Sequence, residues 1–217
     1  MGVGIITDPS GGARVDPTRA LRTSIVPRAI TNYAFSSITG TMAAALGAGS
    51  SIYAQRLDPG AGATLVFVDR IRVAFTTIVA FTTPITAGRR LALYRGSGAN
   101  ATGGTALAAA AQKDSTSAPS ECNVAQGGDA RIATTAALGV AGITFETQEF
   151  RTMPLTHVGG AGSFFEMLWE FHATENAPLT LQPGQLFAIR NPAAMDAAGT
   201  WQLTVNVDYY EGPAYAP

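Results

Sequence analysis

The stretch GTWQLTVNVDYYEG, residues 199–212, has the clearest two-residue alternation of apolar and polar side chains in the chain. Successive side chains of a β-strand point to opposite faces of its sheet, so this period predicts a strand with one face on a core. The inward set is predicted to be Trp201, Leu203, Val205, Val207 and Tyr209, and the outward set Gln202, Thr204, Asn206 and Asp208.

A second stretch, SFFEMLWEFHA at residues 163–173, alternates in the same way and also predicts a strand. Phe165, Met167, Trp169 and Phe171 fall on one side, and Glu166, Leu168, Glu170 and His172 fall on the other. The polar side has two interpretations. We favour a solvated or interface face, and the alternative is a metal site formed by Glu166, Glu170 and His172.

Seven further segments are predicted to be strands: 36–46, 51–60, 64–83, 89–98, 130–138, 142–151 and 178–192. For the first three, the prediction rests on strand-favouring residues such as Thr, Val, Ile and Phe and on the Gly or Pro at their ends. The segment at 64–83 is too long for one strand. Asp69 and Arg70 are expected to mark a bend, a bulge or a corner between two sheets. Many strands with almost no amphipathic helix predict an all-β fold, an antiparallel β-sandwich or jelly roll.

Two regions lack a strand period. Residues 1–32 are predicted to be an extended N-terminal arm ahead of a β-sandwich domain at 33–217, with a disordered terminus as the alternative. DPTRALR, residues 16–22, could form a short helical turn within the arm. Residues 96–129 are rich in Gly, Ala, Ser and Thr and are predicted to be a long loop, in which TALAAAAQK at 105–113 could form a short helix.

Composition narrows the classes of partner. Charged residues are 13% of the chain, the net charge is −1 and Lys113 is the only lysine, so nucleic-acid binding is not expected and a protein partner is favoured.

The first residues lack the pattern of a signal peptide, and no apolar run is long enough to span a membrane, so no membrane association is expected. Cys122 is the only cysteine, which excludes an intramolecular disulfide and predicts a bystander thiol.

The candidate chemical residues do not form a recognisable catalytic set. His157 and His172 are the only histidines, and neither has the sequence context of a hydrolase base. Glu166 and Glu170 would lie roughly 13 Å apart on one strand, which is too far for a glycosidase pair. The chain is therefore predicted not to be an enzyme and to need no cofactor. The aromatic residues Trp169, Phe171, Trp201 and Tyr209 are predicted to be core residues rather than sugar-stacking platforms.

The C-terminal stretch HATENAPLTLQPGQLFAIRNPAAMDAAGTWQLTVNVDYYE resembles the closing strands of small β-sandwich virion proteins of tailed bacteriophages. The shared pattern is an apolar-Pro-Gly turn at 181–184, a strand ending in Arg-Asn at 186–191, a small-residue loop at 192–199, and an alternating strand at 200–211. The resemblance covers about forty residues.

The resemblance implies a cement or decoration protein that binds the exterior of a phage head and is assembled in the host cytoplasm. Its implied partners are the major capsid protein and further copies of itself, with a homotrimer favoured over a dimer. The arm would contribute interface arginines, namely Arg14, Arg19, Arg22 and Arg28. A carbohydrate- or receptor-binding sandwich and a tail or baseplate component are the alternatives.

Overall fold

The computed structural model describes residues 14–15, 21–22, 31–82, 89–107, 110–113, 118–155, 160–171 and 179–213. The chain divides into two units, Met1–Ile30 and Thr31–Pro217. In the first unit, β1 (Arg14–Val15) pairs antiparallel with β2 (Leu21–Arg22). Leu21 and Arg22 therefore lie in a strand, and not in the helical turn suggested by DPTRALR.

The second unit consists of two antiparallel sheets, which confirms the all-β prediction. Its strands are β3 (Thr31–Ile38), β4 (Ser50–Arg56), β5 (Thr64–Val79), β6 (Arg90–Gly98), β7 (Thr105–Ala106), β8 (Ala111–Gln112), β9 (Asp129–Ile132), β10 (Ile143–Phe145), β11 (Arg151–Pro154), β12 (Phe164–Glu170), β13 (Leu179–Leu181), β14 (Gln185–Asn191) and β15 (Thr200–Pro213). The first sheet has the order β10-β6-β14-β4-β9-β7, and β11 also pairs with β6. The second sheet has the order β12-β5-β15-β3-β8, and β13 also pairs with β5.

The pairing of the main strands is nested. The outermost pair in the chain is β3 with β15, followed inward by β4 with β14, β5 with β12, and β6 with β11. Members of successive pairs alternate between the second and the first sheet. A long hairpin rolled up in this way is the connectivity of an eight-stranded jelly roll, so the predicted sandwich is confirmed in its jelly-roll form.

The core lies between the two sheets and follows the alternation seen in the sequence. All five residues predicted to face inward from 199–212 are buried, and so are Trp169 and Phe171 of the second stretch. Trp201 stacks on Phe75 of β5 with ring centroids 4.9 Å apart. Because truncating a buried aromatic residue to alanine typically costs about 3–5 kcal/mol, Trp201 and its stacked partner are principal anchors of the sandwich.

Strand β5 differs from its prediction in length. It runs for 16 residues within the second sheet, so the expectation that 64–83 is too long for one strand is wrong, and so is the alternative of a corner between two sheets. The predicted irregularity is present, because Asp208 pairs with Arg70 while the next residue, Tyr209, pairs with Val68. Asp69 is thus the extra residue of a β-bulge. The strand can be this long because β15 pairs with it along its whole length.

The predicted helix within the long loop is not formed by the described residues. Thr105–Ala106 pairs with β9 and Ala111–Gln112 pairs with β3, so the two ends of TALAAAAQK extend different sheets. A helix this short is marginal in water, and backbone pairing at two open edges competes with it successfully.

Three other strand boundaries differ from the sequence prediction. The first predicted strand, 36–46, is occupied by β3 only as far as Ile38, and turn residues follow at 44–45. A side chain at Gly40 would approach the carbonyl oxygen of Thr134 to 2.6 Å. The segment 142–151 is divided between β10 and the start of β11. The two prolines of EGPAYAP, residues 211–217, predict an irregular tail. The final strand instead continues through Pro213.

A buried polar cluster fastens the loop at 118–123 to the end of β15. The Ser120 hydroxyl donates to Glu211 Oε1 at 2.6 Å, and the Glu121 backbone N–H donates to Glu211 Oε2 at 3.1 Å. The Tyr209 hydroxyl lies 2.6 Å from Ser120 Oγ. Burial raises the pKa of Glu211, although the hydrogen bonds from Ser120 and Glu121 oppose that change. Burial also raises the pKa of the Cys122 thiol, in accord with an unreactive cysteine.

We expect Glu211 to make the stability of the sandwich depend on pH. Because its pKa is higher in the folded than in the unfolded state, its contribution is complete below the unfolded pKa and is lost as pH rises through the folded pKa. A tenfold difference between the two acid dissociation constants corresponds to about 1.4 kcal/mol in the free energy of unfolding. Urea unfolding between pH 4 and 8 should show the wild type losing stability relative to Glu211→Gln. If the free energies of unfolding of the two proteins change in parallel with pH, this expectation is wrong.

Candidate interaction surface

The outward side chains of the second sheet form a broad face, which we call the outer face. The strand register arranges these side chains in rows that cross the sheet. From Arg70 onward in β5, after the bulge at Asp69, even-numbered residues of β3, β5, β12 and β15 lie opposite one another. One row contains Leu168, Arg72, Asn206 and Ser36, and the next contains Glu166, Ala74, Thr204 and Ile38. The face therefore changes from charged to apolar along the strands.

The charged end is organised around Asp208. Arg70 Nε and Lys113 Nζ lie 2.5 Å from its two carboxylate oxygens, and the Lys113 backbone N–H donates to Asn32 at 3.0 Å. Burial of Asp208 opposes its ionisation, but the hydrogen bonds from Lys113 and Arg70 hold its pKa below the ordinary value. The only lysine of the chain thus fixes the short strand β8 to the middle of the sheet.

A second ion pair crosses the edge of this face. Arg72 Nε lies 3.0 Å from Glu166 Oε1, so a carboxylate of the stretch 163–173 is paired across β5 and β12. The two groups are about half exposed, and pairs of this kind typically contribute less than about 1 kcal/mol. The pairing agrees with the solvated or interface interpretation of this strand face. Arg70, Arg72, Leu168, Asn206 and Asp208 line a depression of about 250 Å³ here.

The apolar end carries large side chains that are exposed to solvent. Phe164 is 62% exposed, Ile38 57% and Ile78 39%. Between them lie uncharged side chains, and we define the apolar strip as Ile38, Ala74, Thr76, Ile78, Phe164 and Thr204. Its three large members lie on three different strands and together expose roughly 300 Å² of apolar surface, and exposed apolar surface of this extent often marks a site of protein contact.

The metal and catalytic candidates lie partly outside the described residues. Among the described residues, no three or more His, Cys, Asp or Glu side chains are placed to hold a metal ion. His157 and His172 lie outside those residues, as do the side chains of all four arm arginines. The aromatic residues weighed as sugar platforms are buried, which leaves the core interpretation.

A cleft on the first sheet bears on the carbohydrate alternative. It has a volume of about 520 Å³ and is lined by Gly96, Ser97, Thr144, Phe145, Glu146, Thr147, Gln148 and Gln185. The Phe145 ring has the Arg190 guanidinium 4.0 Å from its centroid, and Glu146 is paired with Arg95 at 2.6 Å. One aromatic surface and one carboxylate are therefore already engaged within the chain.

Sequence reasoning identifies the outward residues of β12 and β15 but misses the apolar strip and the role of Lys113. Ile38 and Ile78 belong to segments whose strand ends the sequence does not define, and Lys113 belongs to a segment with helical propensity. The signal for the strip is an apolar residue at an outward position of a strand, such as Phe164, which lies on the same face as Glu166. Within the described residues, no helix is both long and apolar enough to span a membrane.

Comparison with known proteins identifies no family. No family model matches the chain, and no curated protein matches it. Among solved structures, the subunit of T=1 particles derived from infectious bursal virus is 13% identical, with a TM-score of 0.20 over 98% of this chain. The chain spans 46% of that subunit. The VP1 pentamer of human polyomavirus 6 is 12% identical over 88% of this chain and 98% of its own, with a TM-score of 0.15. Likenesses this weak carry no functional weight.

We expect the Asp208 network to contribute measurably to stability. Asp208→Asn removes a carboxylate shared by two cations and should lower the free energy of unfolding by about 1 kcal/mol at low salt, and by less in about 1 M NaCl. The matched control is Glu146→Gln, which breaks the exposed pair with Arg95 and should change stability by less than about 0.5 kcal/mol. Urea unfolding at pH 7 measures both. If Asp208→Asn and Glu146→Gln lower the free energy of unfolding equally, the sharing of the Asp208 carboxylate by two cations adds no stability.

Proposed function

We propose that this chain is a structural virion protein, a cement or decoration protein that attaches to the exterior of a bacteriophage head and reinforces the joints between capsomers. The observation that carries the proposal is the apolar strip, a solvent-exposed hydrophobic surface on the rigid face of a jelly roll. Its expected partners are the major capsid protein and further copies of the chain.

The sequence resemblance supports this proposal at the level of individual elements. The apolar-Pro-Gly turn of the phage pattern corresponds to the β13–β14 connection, in which Gly184 has a φ of 79°. That backbone conformation favours glycine. The strand ending in Arg-Asn is β14, and the final alternating strand is β15. The shared pattern thus describes the central strands of both sheets.

The chemistry of the outer face also supports contact with another protein. Hydrophobic contacts supply most of the affinity of a protein interface, and charges beside them set its orientation. Here the apolar strip borders the charged end that contains Arg70, Arg72 and Asp208. Because Asp208 and Glu166 already pair with these arginines, a partner that covers the face does not meet unpaired guanidinium groups.

We expect Ile38→Asp to weaken attachment to phage heads. Ile38 is exposed at the end of β3, so the substitution should leave the fold intact while placing a charge in the apolar strip. Loss of a well-packed interface residue typically reduces affinity by about tenfold or more. Co-sedimentation with empty heads that lack decoration measures the effect.

Val124→Asp is the matched control for this experiment. Val124 is 43% exposed, but it lies in a 3-10 turn outside both sheets. It should bind heads like the wild type. Equal binding by both variants would remove the strip from the attachment surface. Binding of the wild type to tails instead of heads, or to glycans on an array, would support the alternative assignments and overturn the cement proposal.

The arm gives a separate prediction. Deleting residues 1–30 removes all four interface arginines and leaves the second unit, which contains the whole jelly roll. If the arginines bind carboxylates of the shell, the truncated protein should sediment less with heads, and the loss should shrink at high salt. Circular dichroism and the thermal midpoint check that the sandwich stays folded. Unchanged attachment would exclude the arm as an anchor.

A further inference from the structure

Among the described strands, β12 lies at one edge of the second sheet. It pairs with β5 from Phe164 to Glu170, and no other described strand pairs with its far side. The opposite end of the same sheet is different, because β8 covers β3 there. The register of β12 against β5 is continuous over all seven residues, with no bulge to turn the edge away from a partner.

The register shows which backbone groups of β12 point away from β5. The Thr77 N–H donates to the Ser163 carbonyl at 2.9 Å, and the Phe171 N–H donates to the Asp69 carbonyl at 2.8 Å. Hydrogen-bonded and non-bonded positions alternate in an antiparallel pair, so the odd-numbered residues of β12 bond to β5. The even-numbered residues Phe164, Glu166, Leu168 and Glu170 therefore direct their N–H and C=O groups away from β5.

The side chains of the edge are unusually apolar for an open strand. Phe165 faces the core side but is 37% exposed, and Leu168 on the outer face is 42% exposed. Open edges commonly carry lysine, proline or a bulge that discourages pairing, and β12 has none of these. Its sequence, FFEMLWE, combines strand propensity with exposed hydrophobic surface.

We propose that β12 pairs antiparallel with β12 of a second copy, about a two-fold axis through Met167. This axis places Glu166 opposite Leu168 of the partner and Phe164 opposite its Glu170. Moving the axis to Glu166 would set that residue opposite itself, and moving it to Leu168 would set Glu166 opposite Glu170. Like charges directly opposite destabilise a sheet, so charge selects the register centred on Met167.

The same register suits both the backbone and the core. The axis falls on a non-hydrogen-bonded pair, so the outward N–H groups of Glu166 and Leu168 in each copy meet carbonyl groups of the other. On the core side, Phe165 lies opposite Trp169 of the second copy, so the approach of the second strand covers part of the exposed Phe165 ring. A two-fold contact of this kind uses the same patch on both copies.

The area indicates a reversible dimer. Phe164, Phe165 and Leu168 expose roughly 300 Å² of apolar surface per copy, compared with roughly 450 Å² on each side of a standard interface. We favour a second copy as the occupant because, of the registers centred on Glu166, Met167 and Leu168, only the one centred on Met167 sets no two carboxylates directly opposite each other. The inference depends on β12 alone and not on the virion proposal.

Cysteine cross-linking in the full-length protein tests the register. Cα atoms of a non-hydrogen-bonded antiparallel pair are about 4.5 Å apart, within the range of a disulfide. Met167→Cys should therefore form a covalent dimer on mild oxidation, at least about tenfold faster than the matched controls Leu168→Cys and Ile38→Cys. Leu168 residues of the two copies would be diagonal, roughly 7–8 Å apart. Cys122 is buried and should not react.

The oligomeric state of the reduced protein tests the contact itself. Light scattering should show a dimer that dissociates on dilution, and Leu168→Pro should abolish it. Proline removes an N–H that points away from β5, so the fold and the thermal midpoint should change little. A monomer at every concentration, a trimer, or fastest cross-linking at position 38 or 168 would overturn the proposal. Head attachment is measured independently, so either proposal can fail alone.

Discussion

The antiparallel pairing of β5 with β15 is the contact on which the rest of the second unit depends. It joins the third and the last main strands of the jelly roll along fourteen residues of β15. It positions β12 on one side and β3 on the other. Because a change of one position in this register would exchange the inner and outer sets of side chains, it fixes both the core and the outer face. The bulge at Asp69 adjusts the twist without disturbing that division.

Much of this arrangement could be predicted from the sequence because alternation is a local property. The burial of Trp201, Trp169 and Tyr209 follows directly from the period of their strands. Register is not local, and the ion pairs that depend on it could not be predicted. Lys113 meets Asp208 only because β8 adds to the edge of β3, and neither the edge nor its need for a partner is visible in TALAAAAQK.

The exposure of apolar side chains along β12 could not be predicted from the sequence, for a related reason. Alternation assigns Phe165 to the core side of β12, and the register confirms that side. The first sheet does not cover it fully, however, so a residue with the periodicity of a core position remains partly exposed. How far one sheet extends over the other is a property of the whole sandwich, and sequence period carries no information about it.

The edge of β12 and the apolar strip meet at Phe164 but are otherwise separate. Ile38 lies three strands away from β12, so pairing at the edge would leave it exposed, and a partner on the strip would leave the backbone groups of β12 free. A jelly roll with two such surfaces can bind a second copy through its edge and another protein through its face. Because both surfaces belong to one rigid sheet, the register at the edge would also fix the direction in which the two strips of a dimer point.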